Sequence, residues 1–170
     1  DGLKRMWKTK IFPGYSGVTV KNGLVYLMDR PANKVSEGIE RVICLDAYTG
    51  SEIWDFSYPA AYSDMGYGKG PRASITIKNG RAFGFGARGM AFGLDARTGK
   101  KLWMRDLVEE ENATLPIWGF SSSPVTHENV VVFHAGCQPT GSLIALSQQN
   151  GETQWRAGSD DMAGYSPPLI

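Results

Sequence analysis

Two ten-residue phrases, LDAYTGSEIW at 45–54 and LDARTGKKLW at 94–103, stand 49 residues apart. A phrase that recurs at such an interval marks one supersecondary unit used repeatedly. A third copy, LSQQNGETQW, fills 146–155, and a truncated relative, DGLKRMW, opens the chain. The closing tryptophans are Trp7, Trp54, Trp103 and Trp155, at intervals of 47, 49 and 52 residues.

Other segments keep the same beat. SGVTVKNGLVYLMD (16–29), ASITIKNGRAFGFG (73–86) and SSPVTHENVVVFHAG (122–136) each read as two strands around a turn. Asn22-Gly23 and Asn79-Gly80 are strong hairpin signals, because a type I′ turn needs positive φ at both central residues. RVICLD, MAFGLD and SLIALS follow as third strands, then the repeated phrase, then a fourth strand carrying the tryptophan. No stretch has convincing helical periodicity. Each unit is thus four short antiparallel strands in about 49 residues. One such sheet cannot bury both faces alone, so neighbours must stack. The expected fold is all-β, a β-propeller of four-stranded blades.

The phrase itself explains its turn. Asp46 and Asp95 can fold their carboxylates onto nearby backbone N–H groups. Thr49 and Thr98 can add hydroxyl bonds, and Gly50 and Gly99 can close the turn in the left-handed conformation. An indole on the next strand can fill the space between adjacent blades.

The pattern resembles the pyrroloquinoline-quinone-type repeat, the tryptophan-docking propeller of quinoprotein dehydrogenases. The same repeat builds the non-enzymatic outer-membrane-protein assembly lipoprotein. Its hallmark, roughly A-x-D-x-x-T-G-x-x-x-W, is matched at 44–54 and 93–103, with Cys44 and Gly93 in place of the first alanine. The third copy departs, with Ser147 for Asp and Asn150 for Thr, so a less tightly bonded turn is expected there. The resemblance implies a ring of seven or eight blades. The whole chain, 1–170, would be part of one such domain, with blades at about 16–60, 72–107 and 122–158 and partial blades at 1–12 and 164–170. It would form an open arc, a piece of a longer protein, with two exposed blade faces. Trp7, Trp54, Trp103 and Trp155, with the turn residues Asp46, Thr49, Gly50, Asp95, Thr98, Gly99 and Gly151, would dock the blades.

Charge excludes some partners. Eighteen Lys and Arg against seventeen Asp and Glu leave a net +1, which offers nothing to nucleic acid or an anionic membrane. No apolar run is long enough to span a bilayer, and a lipid anchor would have to lie outside this chain. Cys44, in an apolar run, reads as a core residue; Cys137 sits at a strand end and can be free, and the sequence leaves open whether the two are bonded. Glu109-Glu110-Glu111 reads as a solvated linker. His127 and His134 have no Cys or carboxylate at ligand spacing, so no metal is expected.

Propellers bind ligands where the loops leading into the innermost strands surround the channel. Aligned on the first strand, Tyr15, Arg72, Ser121 and Tyr165 fall at equivalent positions, with Ser122 beside them. A guanidinium at Arg72 can grip a carboxylate or a quinone oxygen; it can equally pair with an acid of a neighbouring blade. Tyr67 and Lys69 lie in the linker before Arg72, and Trp118 in the next one, as a flat platform or as ordinary packing. From the resemblance, the leading expectation is a non-catalytic binding or assembly scaffold of the bacterial cell envelope. It would be periplasmic or otherwise extracytoplasmic, with protein or peptide partners and no cofactor. The alternative is an alcohol or sugar dehydrogenase using pyrroloquinoline quinone and calcium. The adjacent cysteine pair often seen in that class is absent here. A third reading is a sensor domain recognising a peptide or polysaccharide.

Overall fold

The structure is a computed structural model that describes residues 2–31, 38–63, 65, 66, 68, 70–139, 141–159 and 162–169. It holds three four-stranded antiparallel sheets. The first contains β1 (Thr19–Lys21), β2 (Leu24–Asp29), β3 (Ile39–Asp46) and β4 (Glu52–Pro59). The second contains β5 (Thr76–Lys78), β6 (Arg81–Phe85), β7 (Met90–Asp95) and β8 (Lys101–Asp106). The third contains β9 (Val125–His127), β10 (Val130–His134), β11 (Leu143–Ser147) and β12 (Thr153–Ala157). In each, the strands lie in chain order, as in a blade.

The middle strands are apolar on both faces, as suits blades that stack; the second blade lies between the other two. Tyr26, Met28, Val42 and Cys44 of the first blade pack with Ile75, Phe92 and Leu94 of the second. Phe83, Phe85 and Trp103 of the second pack with Val131, Phe133, Ile144 and Leu146 of the third. Val25, Leu27, Ile43 and Leu45, on the opposite face of the first blade, meet Trp7. The inner strands are stitched by hydroxyls at equivalent positions. Gly17 N–H donates to Ser74 Oγ at 3.1 Å and Ser74 N–H to Ser123 Oγ at 2.9 Å. Thr19 and Thr76 donate to the carbonyls of Ile75 and Pro124 at 2.6 and 2.5 Å.

The repeated phrase builds a receptor for the preceding blade. Asp46 Oδ1 accepts from Tyr48 N, Thr49 N and Thr49 Oγ1 at 2.9, 2.8 and 3.0 Å. Asp95 Oδ1 makes the same three bonds with Arg97 and Thr98, at 3.1, 2.8 and 2.8 Å. Onto these turns come the indoles. Trp7 Nε1 donates to Ala47 O at 2.9 Å, Trp54 Nε1 to Ala96 O at 3.2 Å and Trp103 Nε1 to Gln148 O at 3.2 Å. Each ring lies flat on the turn glycine. A Cβ built on Gly99 would stand 2.6 Å from the Trp54 ring, and one on Gly151 would stand 2.8 Å from Trp103. Burying an indole removes roughly 150–250 Å² from water, about 4–6 kcal/mol per blade junction as an upper bound. No further turn of this type follows Trp155 in the chain, and it is 43% exposed.

Two details of the motif follow from the same contact. A β-bulge falls at the same place in every blade, at Cys44/Leu45, Gly93/Leu94 and Ala145/Leu146. It sets Trp54, Trp103 and Trp155 opposite Cys44, Gly93 and Ala145. Those positions must be small because the indole folds over them; a Cβ at Gly93 would lie 2.5 Å from Trp103 Nε1. The third turn is looser, as its sequence predicts. Ser147 Oγ accepts only from Gln149 N, at 3.2 Å, while Gln148 Nε2 braces the turn from Glu128 O and Val130 O.

The triple glutamate departs from the linker expectation. Leu107–Glu111 form a short helix, α1, because Asp106 caps it by accepting from Val108 N and Glu109 N. Glu111 turns inward rather than to solvent and is 6% exposed. Cys44 and Cys137 are both free and both buried. Burial pushes each thiol up to about 11, so neither is a reactive surface thiol.

Gly80 and Gly99 share a φ of +72°, but a Cβ on Gly80 meets nothing within 4 Å. Gly80→Ala should therefore destabilise by the backbone strain alone, about 1–2 kcal/mol. Gly99→Ala should lose a further ~1–3 kcal/mol because Trp54 is displaced. Denaturant titration of the two variants reads the difference directly. The Asp95 carboxyl is held below the usual carboxylate range by its bonds from Thr98 and Arg97, chiefly that from the Thr98 hydroxyl. Its contribution is present in full above the unfolded value near ~3.9 and is lost as pH falls through the lower folded value. Asp95→Asn should flatten that acid limb of the stability profile while leaving its slope near neutral pH unchanged.

Candidate functional site at the loop mouth

Strand direction puts the starts of β1, β5 and β9 at one end of the blades, together with the β2–β3 and β4–β5 connections. Two groups of side chains gather there. In the first, the Arg72 guanidinium lies 5.7 Å over the Tyr15 ring and 5.8 Å over the Tyr62 ring, and donates to Gly70 O. Arg72 thus rests near two π faces, and Tyr15, which stays 53% exposed, is fixed by its backbone bond to Pro71 O at 2.8 Å. In the second group, Trp118 and Tyr165 stack with ring centroids 5.3 Å apart, 52% and 42% exposed. Ser121 Oγ donates to Tyr165 O at 3.2 Å, and Ser122, which is buried, donates to Ser166 O at 3.1 Å. Tyr67 and Lys69 lie outside the described residues. The four positions equivalent in sequence thus form two pairs, Tyr15 with Arg72 and Ser121 with Tyr165.

Beneath Arg72 sits a polar cluster that sequence reasoning missed. Glu40, in β3, is fully buried and accepts from the phenols of Tyr58 and Tyr62 and from Ala87 N at 3.0 Å. Burial first, and the Glu40 carboxylate second, push both phenols well above the usual tyrosine range, so both remain protonated donors. The carboxylate can approach the second blade only because Gly86 has no Cβ, which would otherwise sit on it. Arg30 stacks 4.1 Å over Tyr62 and donates to Ala60 O at 2.9 Å. The available signals were an acid near the start of the strand IERVICLD and the glycine of FGFG facing it.

The other buried carboxylates are engaged in the same way. Asp29 receives both arms of Arg41, at 3.0 and 2.9 Å, and Phe12 N at 2.9 Å. Glu111 accepts from Arg105 at 2.7 Å, Thr153 at 2.9 Å and Arg156 at 3.0 Å. Burial acts to raise the Glu111 carboxyl, but these bonds outweigh it and hold the group below its ordinary value. Among the described residues no group of three His, Cys, Asp or Glu side chains could hold a metal ion, and no helix is long and apolar enough to cross a membrane.

Comparison with known proteins places this architecture. A curated relative, the quinoprotein alcohol dehydrogenase PedH of Pseudomonas putida, is 28% identical over 115 residues, covering 67% of this chain. The chain spans only 18% of that relative's length. A europium-containing methanol dehydrogenase superposes with a TM-score of 0.63 at 16% identity, over 87% of this chain and 25% of that one. The quinohemoprotein alcohol dehydrogenase of Comamonas testosteroni superposes with a TM-score of 0.62 at 19% identity, over 86% of this chain and 21% of that one. At such identities the superpositions establish the fold, a partial arc of a propeller. The family model described as outer membrane protein assembly factor BamB matches residues 38–168. On its repeated turns, its docked indoles and that match, the chain belongs to the pyrroloquinoline-quinone-like propeller family.

Proposed function

We propose that this arc belongs to a non-catalytic propeller that binds or helps assemble other proteins or peptides in the bacterial cell envelope. One observation carries the reading. Each of the three buried carboxylates among the described residues, Asp29, Glu40 and Glu111, is taken up by fixed donors of the fold. A catalytic base needs a lone pair directed at substrate, and these have theirs directed at arginines, phenols and backbone N–H groups. The mouth instead presents Tyr15 exposed beside Arg72, and Trp118 and Tyr165 exposed as a second, separate pair. Aromatic residues and arginine are the types enriched at the energetic centres of protein interfaces.

A second reading, a dehydrogenase segment, is favoured by the likeness to a quinoprotein alcohol dehydrogenase. Arg72 and the flat rings at the mouth suit a planar, anionic quinone. A calcium ion needs six to eight oxygen ligands, and the engaged carboxylates of this arc do not fit that role. Under this reading the ion would be held by other parts of the protein.

Calorimetric titration of pyrroloquinoline quinone, with and without calcium, into the protein that carries this chain separates the two. The expected result is no heat up to high micromolar quinone. Calcium-dependent binding that disappears in Arg72→Ala would establish the dehydrogenase reading instead. Glu40→Ala should leave two buried phenols and the Ala87 N–H without an acceptor, at about 1–3 kcal/mol per orphaned donor. Glu40→Gln, which keeps one acceptor oxygen, should destabilise much less. A thermal melt of the two variants checks this.

A further inference from the structure

The opposite end of the blades carries a second surface, and it stands independently of the mouth. The tip of the β1–β2 hairpin, the tip of the β5–β6 hairpin and the β7–β8 turn enclose a groove of about 760 Å³ between the first two blades. Its apolar lining comes from Leu24, Ile53 and Ile77, with Ile53 48% exposed. Its rim carries Lys21, Lys78 and Arg97, all exposed, and among the described residues no Asp or Glu lines it. The volume falls within the roughly 300–1,000 Å³ typical of ligand sites.

The blade architecture does not require these cations. The position of Lys21 and Lys78 is His127 in the third blade, and that of Arg97 is Tyr48 in the first and Gln149 in the third. It is the variable residue of the D-A-x-T-G turn, whose backbone N–H donates to the turn aspartate or, in the third blade, serine. Three like charges around one groove, in a chain of net charge +1, are a local excess. They stand on three separate turns rather than converging on one point, which suits charges distributed along a chain more than a compact anion. The exposed isoleucine between them offers a seat for an apolar side chain.

We propose that this groove docks an extended acidic segment of a partner protein, with carboxylates on Lys21, Lys78 and Arg97 and an apolar residue against Ile53 and Ile77. The probe is a fluorescein-labelled peptide of alternating Glu and Leu, followed by anisotropy as the protein carrying this chain is added. Saturable binding is expected, weakening as salt is raised because the charges are exposed. It should fall by at least about tenfold in the Lys78→Glu, Arg97→Glu double variant, since removed attraction is replaced by repulsion. Ile53→Ser should weaken it without altering net charge. Lys4→Glu with Lys10→Glu, the same charge change at exposed positions outside the groove, should leave it intact, as should Arg72→Ala at the mouth. Circular dichroism confirms that each variant is folded. Full-strength binding by the Lys78→Glu, Arg97→Glu protein, or an equal loss in the Lys4, Lys10 control, would overturn the proposal. So would displacement of the peptide by inorganic phosphate at the peptide's own concentration, which would mark a site for small anions.

Discussion

An indole lying flat on a glycine is the contact on which the rest of this structure depends. It demands three things at once. The turn must expose a backbone with no side chain, which Gly50, Gly99 and Gly151 provide. A carbonyl must face the indole N–H, which the residue after the turn aspartate or serine supplies. The residue opposite the tryptophan on its own sheet must be small, which accounts for Cys44, Gly93 and Ala145. The family's otherwise arbitrary spacing is the projection of this one contact onto a linear sequence. The aspartate and threonine spend their hydrogen bonds within the turn and so hold the receptor in shape.

The contact joins blades near their turn ends and leaves the mouth end to other forces. There buried polar contacts cross between the blades beside apolar ones such as Phe85 on Phe133. Glu40 crosses from the first blade to Ala87 of the second, and Glu111 crosses from α1 to Thr153 and Arg156 of the third. A buried charge is tolerable only when its lone pairs are satisfied, so each of these carboxylates also fixes the residues that satisfy it. Tyr62, held by Glu40, is one of the two faces against which Arg72 rests. The orientation of a mouth residue thus traces back to a carboxylate that never meets solvent.

Much of this was written in the sequence because the repeat forces it. Strands, hairpin tips and docking tryptophans each recur at equivalent positions, and recurrence separates design from accident. The looser third turn was legible for the same reason, as Ser147 and Asn150 break the pattern. What was hidden is what does not repeat. Glu40, Tyr58 and Tyr62 are separated in sequence and meet only through the register of β3 with β4 and the path of the following loop. Glu111 looked like one of three solvated acids, because nothing local shows that Asp106 caps a helical turn and aims it at Arg156. Alignment put the mouth residues at equivalent positions, but their pairing depends on side-chain contacts that alignment does not encode.

The docking contacts all point the same way along the chain: Trp7 onto the turn at 46–50, Trp54 onto that at 95–99, Trp103 onto that at 147–151. Each blade therefore makes its anchor before its receptor exists. On a ribosome, every newly finished sheet waits with an uncovered indole until the following three strands and their turn have emerged. Assembly is thereby given an order in time, with the nascent end always the sticky one.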